Sequence, residues 1–223
     1  MHVLPGVHGH LINGANRPVT LTYVGTGTSG SDSTSYTFSS QSIGSQIDKR
    51  HILVMCHHEF SATDASGNTS AVTVGGVSAS QVVAASFIDV HCSLWLVEYD
   101  NANTTADIVL TTNKTAQRAA IGVWQLTNYG IISTIGSDVA EASTTSTSIS
   151  INTMSGGASL YGHTFHTSAG ATPTSPLTER YDASFDSGSQ KYGADDSAPS
   201  GGSIAYGATA FSANTAAVAA SFR

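Results

Sequence analysis

The chain has 223 residues, of which 40% are hydrophobic and only 10% charged, well below the roughly 25% charged residues of ordinary globular domains. That apolar share is enough for one generous domain core and argues against wholesale disorder; the polar surface must be built from Ser, Thr, Asn and Gly. With 8 Lys plus Arg, 15 Asp plus Glu and a formal net charge of −7, little is left to track phosphates, so no nucleic-acid partner is expected.

Residues 1–17 carry Gly and Pro interruptions and three His without periodicity, and read as an irregular arm preceding a domain over residues 18–223. This beginning lacks the basic and apolar regions of a secretory signal. No run approaches the length of a membrane span, so no membrane is expected as a partner. Residues 18–24, PVTLTYV, alternate apolar and polar as a half-buried strand does, and residues 25–33, GTGTSGSDS, read as a polar loop. Tyr36 and Phe38 anchor the next strand. Residues 51–57, HILVMCH, are apolar on both faces, as in a central strand covered on both sides.

Residues 71–85, AVTVGGVSASQVVAA, hold a Gly75-Gly76 pair between alternating Val residues, a hairpin signal because tight primed turns need positive φ. The pair is expected to set the register between the two Cys-bearing strands, residues 51–57 and 92–99. Cys56 and Cys92 read as two buried free thiols, with an inter-sheet disulfide as the alternative. Residues 106–110 and 118–126 predict two further strands. Residues 160–166, 204–211 and 216–222 predict more, while residues 181–202, rich in Asp, Ser and Gly, read as loops bearing Tyr181, Phe185 and Tyr192. No segment shows helical spacing with a capping signal. The pattern predicts an all-β fold: an antiparallel β-sandwich, jelly-roll-like, with the N-terminal arm.

Five segments in order, SYTF (35–38) with Ile43-Gly44, KRHILV (49–54), VTVGGV (72–77), ADIV (106–109) and GVWQLT (122–127), form a recognisable series. Across residues 33–128 it resembles a group of phage-encoded β-sandwich proteins found among virion structural genes. The resemblance implies a non-enzymatic virion component, a capsid decoration or head spike, with a tail accessory protein as a lesser variant. It would be synthesised in the host cytoplasm and located in the virion, with other capsid or tail proteins as partners. It brings no catalytic residues and no cofactor. The arm is the expected docking element, through His2, Leu4, His8, His10 and Leu11. The weakly charged, small-residue surface points to homo-oligomerisation through sheet faces.

Residue chemistry offers few rivals. A metal set such as His58, His91 and either His163 or His166 is conceivable, but the spacings match no zinc signature, and loop-edge histidines are expected instead. No Gly-x-Ser-x-Gly elbow occurs and no carboxylate pair is identifiable, so no enzyme is expected. The stronger alternative is a carbohydrate-binding module for host-surface glycans, with sugars stacked on Tyr129, Tyr181, Phe185 and Tyr192 if those rings are exposed. The competing reading has the same rings covering the core.

Overall fold

The computed structural model describes residues 18–47, 50–61, 67–127, 133–142, 145–166, 170–185, 189–209 and 214–223. Their regular structure is entirely β: β1 (Thr20–Ser29), β2 (Ser33–Ser42), β3 (Arg50–Phe60), β4 (Thr69–Val74), β5 (Val77–Ser78), β6 (Ser80–Phe87), β7 (Val90–Tyr99), β8 (Thr105–Thr127), β9 (Thr134–Ala142), β10 (Ser146–Thr153), β11 (Ala158–Phe165), β12 (Thr172–Pro173), β13 (Thr178–Ser184), β14 (Gln190–Asp196), β15 (Gly202–Thr209) and β16 (Thr215–Phe222). All pairings are antiparallel. The expected all-β antiparallel sandwich is what the chain forms. The arm, residues 1–17, lies outside the described residues.

The first sheet is organised by β8. Its N-terminal half pairs with β2 on one edge and β4 on the other; its C-terminal half pairs with β1 and β3, and β7 and β6 extend that side. The sheet therefore curls nearly closed upon itself. One apolar cluster fills the curl, with Tyr36, Phe38, Val72, Val74, Ile108 and Leu110 from the outer portion against Val54, Trp95, Val97, Ile121 and Val123 from the inner. The other face of the inner portion packs on a second sheet, ordered β13-β14-β11-β16-β9, through Leu53, Met55, Leu94, Trp124, Leu126, Leu160, Val218 and Phe222. A third sheet, β10-β15-β12, covers the far side of the second through Ile149, Ile151, Tyr161, Tyr192 and Tyr206.

The result is a stack of four layers with three apolar interfaces. Burial accounts for the sequence patterns. The outer β10 alternates exposed and buried at every residue, as a one-sided strand must. The inner β11, β14 and β16 are buried throughout, so their sequences show no alternation. Each fully buried large apolar side chain contributes about 1.5–3 kcal/mol.

Several local expectations change. β1 runs on to Ser29 through the presumed loop, shifting register between Tyr23 and Gly25. The two strands expected at 106–110 and 118–126 are one 23-residue strand. Residues 181–202 are mostly β13, β14 and the start of β15 rather than loops. Cys56 and Cys92 are free and buried. Adjacent residues point to opposite faces of a strand, and His57 is level with Cys92; Cys56 belongs to the first interface and Cys92 to the second, so no disulfide spans them.

The Gly75-Gly76 turn is present, with φ of +55° and +81°, joining β4 to β5. It sits at the end of the strand order, while the Cys-bearing β3 and β7 pair directly, so it does not set their register. A Cβ on Gly75 would press into the Tyr99 hydroxyl.

Arg50, the arginine of the KRHILV segment, is fully buried. Its guanidinium donates to the carbonyl oxygens of Ser45 (2.8 Å), Asn101 (3.0 Å) and Asn103, tying together the two loops that close one end of the first interface. It lies 5.4 Å from the centre of the Tyr99 ring.

Gly75→Ala combines an unfavourable φ with a steric overlap and should cost more than about 1 kcal/mol. Gly30→Ala, where a Cβ meets nothing within 4 Å, should stay within about 0.5 kcal/mol of the parent. Urea unfolding of the two variants checks this.

Candidate functional site

The polar groups with most chemical potential lie inside the stack. His57 projects from β3 into the interface between the two inner layers, where β11 and β13 meet it. Its Nδ1 is 2.8 Å from Thr164 Oγ1 and its Nε2 is 2.7 Å from the Tyr181 hydroxyl. The Thr164 hydroxyl donates to the His91 carbonyl at 2.9 Å, so its single proton is committed. Nδ1–H therefore donates to Thr164, and the bare Nε2 accepts from Tyr181. Burial is the first cause that holds His57 well below the usual imidazole range, with the Lys191 ammonium adding to it.

Tyr181 is held by shape as well. Its ring passes between Gly122 of β8 and Gly193 of β14, and a Cβ on either glycine would overlap it. Trp124 lies beside it, with ring centres 5.8 Å apart. The Trp124 indole donates to Asp195 Oδ2 at 2.8 Å, and the fork of Arg180 grips both oxygens of the same carboxylate at 2.6 and 2.8 Å. Lys191 of β14 also points into this interface, donating to Thr28 Oγ1 and to the Gly27 carbonyl; burial lowers its pKa to about 8. Together these side chains form a polar seam along the β13–β14 side of an otherwise apolar interface.

A second group looks like the start of a catalytic pair. Ser86 Oγ is 2.6 Å from His91 Nδ1, a nucleophile-to-base distance. The opposite nitrogen, Nε2, accepts the backbone N–H of Thr69 at 3.3 Å, so the ring proton sits on Nδ1 and is donated to Ser86. His91 in this state takes no proton from the hydroxyl. The group continues through Thr69 to His58 (3.0 Å) and through Ser93 to the Trp95 indole (3.0 Å).

The histidine expectations need correction. His57, His58, His91 and His163 are not loop-edge side chains but are buried. The alternation of β11 separates the suggested metal set: His163 packs beside Tyr161 and Phe165, which face the third interface, whereas His58 and His91, with ring centres 5.8 Å apart, face the first. Among the described residues no group of three His, Cys, Asp or Glu could hold a metal ion. His166 instead lies 3.2 Å from Asp89, and Arg118 pairs with Glu59 at 2.7 Å.

The glycan platform is also corrected. Tyr181, Phe185 and Tyr192 are buried, so none offers an open face for a sugar, and Tyr129 and the arm residues His2, Leu4, His8, His10 and Leu11 lie outside the described residues. Only Tyr23 and Phe87 are even partly exposed among the described aromatic side chains. The rings cover the core because parity turns them inward. Tyr192 and Ala194 face the third interface, while Lys191, Gly193 and Asp195 face the second. Sequence reasoning missed Arg180, Lys191 and Asp195 because charged residues in a Gly- and Asp-rich stretch read as solvated loop.

No family model, curated protein or solved structure matches the chain.

Two results are expected. Burial depresses the folded-state pKa of His57, His58, His91 and His163, the last two to about 3. The stability that depends on their neutrality is complete above about pH 6.5, the unfolded value, and is lost as pH falls below it. Urea unfolding between pH 7.5 and 5 should show that loss, steepening toward about 1.4 kcal/mol per pH unit for each histidine. Tyr181→Phe strands the His57 Nε2 without a donor and should cost about 1–3 kcal/mol at pH 7.5 by the same measurement.

Proposed function

We propose that the protein is a non-enzymatic structural component of a bacteriophage virion, a capsid decoration or head-spike protein, docked through residues 1–17. The observation that carries this reading is where the segments of the phage resemblance fall in the fold. Tyr36 closes β2 onto β8 by donating to the Ala116 carbonyl at 2.6 Å. Arg50 ties the loops at one end, Gly75 lies under the Tyr99 hydroxyl, and Trp124 anchors the second sheet through Asp195. Each of these residues is used to join strands or layers. The half-buried His91–Ser86 pair is likewise used as a hydrogen-bonded support.

A stack of this kind suits a protein whose task is to persist and to present surfaces to neighbours. The face left to those neighbours is weakly charged and rich in Ser and Thr, as on β2 and β10, which favours contacts between copies over electrostatic capture of a ligand.

Density-banded particles of the encoding phage should contain the chain at a fixed copy number, on tailless heads as well as on whole virions, by quantitative mass spectrometry. Recovery only outside particles overturns the reading, and recovery on tails alone moves the protein to the tail. A chain lacking residues 1–17 should keep the β-rich circular dichroism of the parent and fail to join particles.

A further inference from the structure

We propose that Tyr181 and His57 form an acid-released latch on β13, so that this edge strand detaches locally in mild acid while the rest of the stack stays folded. The inference is independent of the virion reading.

β13 is the terminal strand of its sheet and is hydrogen-bonded along one edge only, to β14. Its pairing is already interrupted by a register shift between Glu179 and Tyr181. Of its seven residues, Tyr181 is the one that is buried, with its ring seated between Gly122 and Gly193 and its hydroxyl proton given to His57 Nε2. Across the layers the strand is thus held by one aromatic ring, while the bidentate Arg180–Asp195 pair ties it to β14 within the sheet.

The charges around His57 decide what a second proton does there. From β14 the Lys191 ammonium faces it, and Asp195 is already bound by Arg180 and Trp124. From β11 come the Thr164 hydroxyl and, on the opposite face of that strand, His163; from β7 comes the Cys92 thiol, 3.8 Å from Nδ1, with His91 on the other face. From β13 itself, Asp182 Oδ2 accepts the Ala171 N–H at 2.7 Å, and Glu179 is exposed. From β1, Tyr23 meets Trp124 edge-on and lies tilted against Tyr181. Among the described residues no carboxylate pairs with the ring.

A protonated His57 would therefore meet an ammonium without a counter-charge. It would also turn its Nε2–H onto the Tyr181 oxygen and force that hydroxyl proton away from its acceptor. In the released state the ring regains water and titrates near pH 6.5, so the released fraction grows about tenfold for each pH unit below that value.

Hydrogen–deuterium exchange of the full chain, corrected for the intrinsic pH dependence of exchange, tests this at pH 7.5 and 5.5. The peptide covering β13 should lose roughly tenfold protection at pH 5.5, while peptides from β11 and β16, which open only with the whole fold, remain better protected than β13 at both pH values. His57→Gln should abolish that pH dependence. Lys191→Met, which removes the facing ammonium and tests the same point if His57→Gln does not fold, should keep the onset near pH 6.5 and make the loss at pH 4.5 smaller than in the parent, because the latched imidazole then protonates more readily. β13 protection that does not fall between pH 7.5 and 5.5, or that falls only to the level of β11 and β16, overturns the latch, as does a loss that persists in His57→Gln or a Lys191→Met loss at pH 4.5 no smaller than the parent's.

Discussion

The fold depends on one strand having partners on both edges along almost its whole length. β8 is 23 residues long and carries two different pairs of neighbours, β2 with β4 and then β1 with β3. Because each pair must satisfy its backbone donors and acceptors on β8, the two halves of the first sheet cannot be positioned independently. The curl that encloses the first interface follows from this sharing. The exposed face of the inner half, bearing Leu53, Leu94 and Trp124, then needs a cover, and the second sheet supplies it.

The second interface combines two kinds of adhesion. Most of it is aliphatic, which favours burial but tolerates sliding between faces. The β13–β14 side is polar and directional. His57, Thr164 and Tyr181 bond in one tautomeric arrangement, and Arg180 grips Asp195 with a fork geometry that fixes both partners. Buried polar groups of this sort add little net stability, since they exchange water for protein partners. The bonds that cross between the sheets do penalise alternative registries, because a shifted arrangement would strand the buried His57 imidazole or the Trp124 indole.

Much of the architecture was legible in the sequence, and the gaps have physical causes. β3 and β7 stood out because inner strands are apolar on both sides, and the start of β1 because its residues alternate. β8 looked like two strands because the stretch near Asn113 and Lys114, where it passes from one layer to the next, is polar. β13 and β14 were hidden because their inward positions hold Lys191, Gly193 and Asp195, residues that signal loops when read one at a time. The seam was illegible for the same reason. His57 and Tyr181 are 124 residues apart, and only the packing of two sheets brings them together. The histidines misled in the opposite direction: a dense His content suggested solvated or metal-binding edges, whereas the alternation of β3 and β11 distributes them one face at a time through three separate interfaces.

The place of β1 bears on how the chain is made. Thr20 pairs with Thr127 and Ser29 with Ala119, so β1 leaves a ribosome about a hundred residues ahead of its partner. At roughly 5–20 residues per second that interval lasts about 5–20 s, during which β1 and β3 both present unpaired edges destined for β8. Its sequence is suited to the wait: TLTYVGTGTS is short of long apolar runs and punctuated by glycine, a composition that resists premature association with other nascent chains.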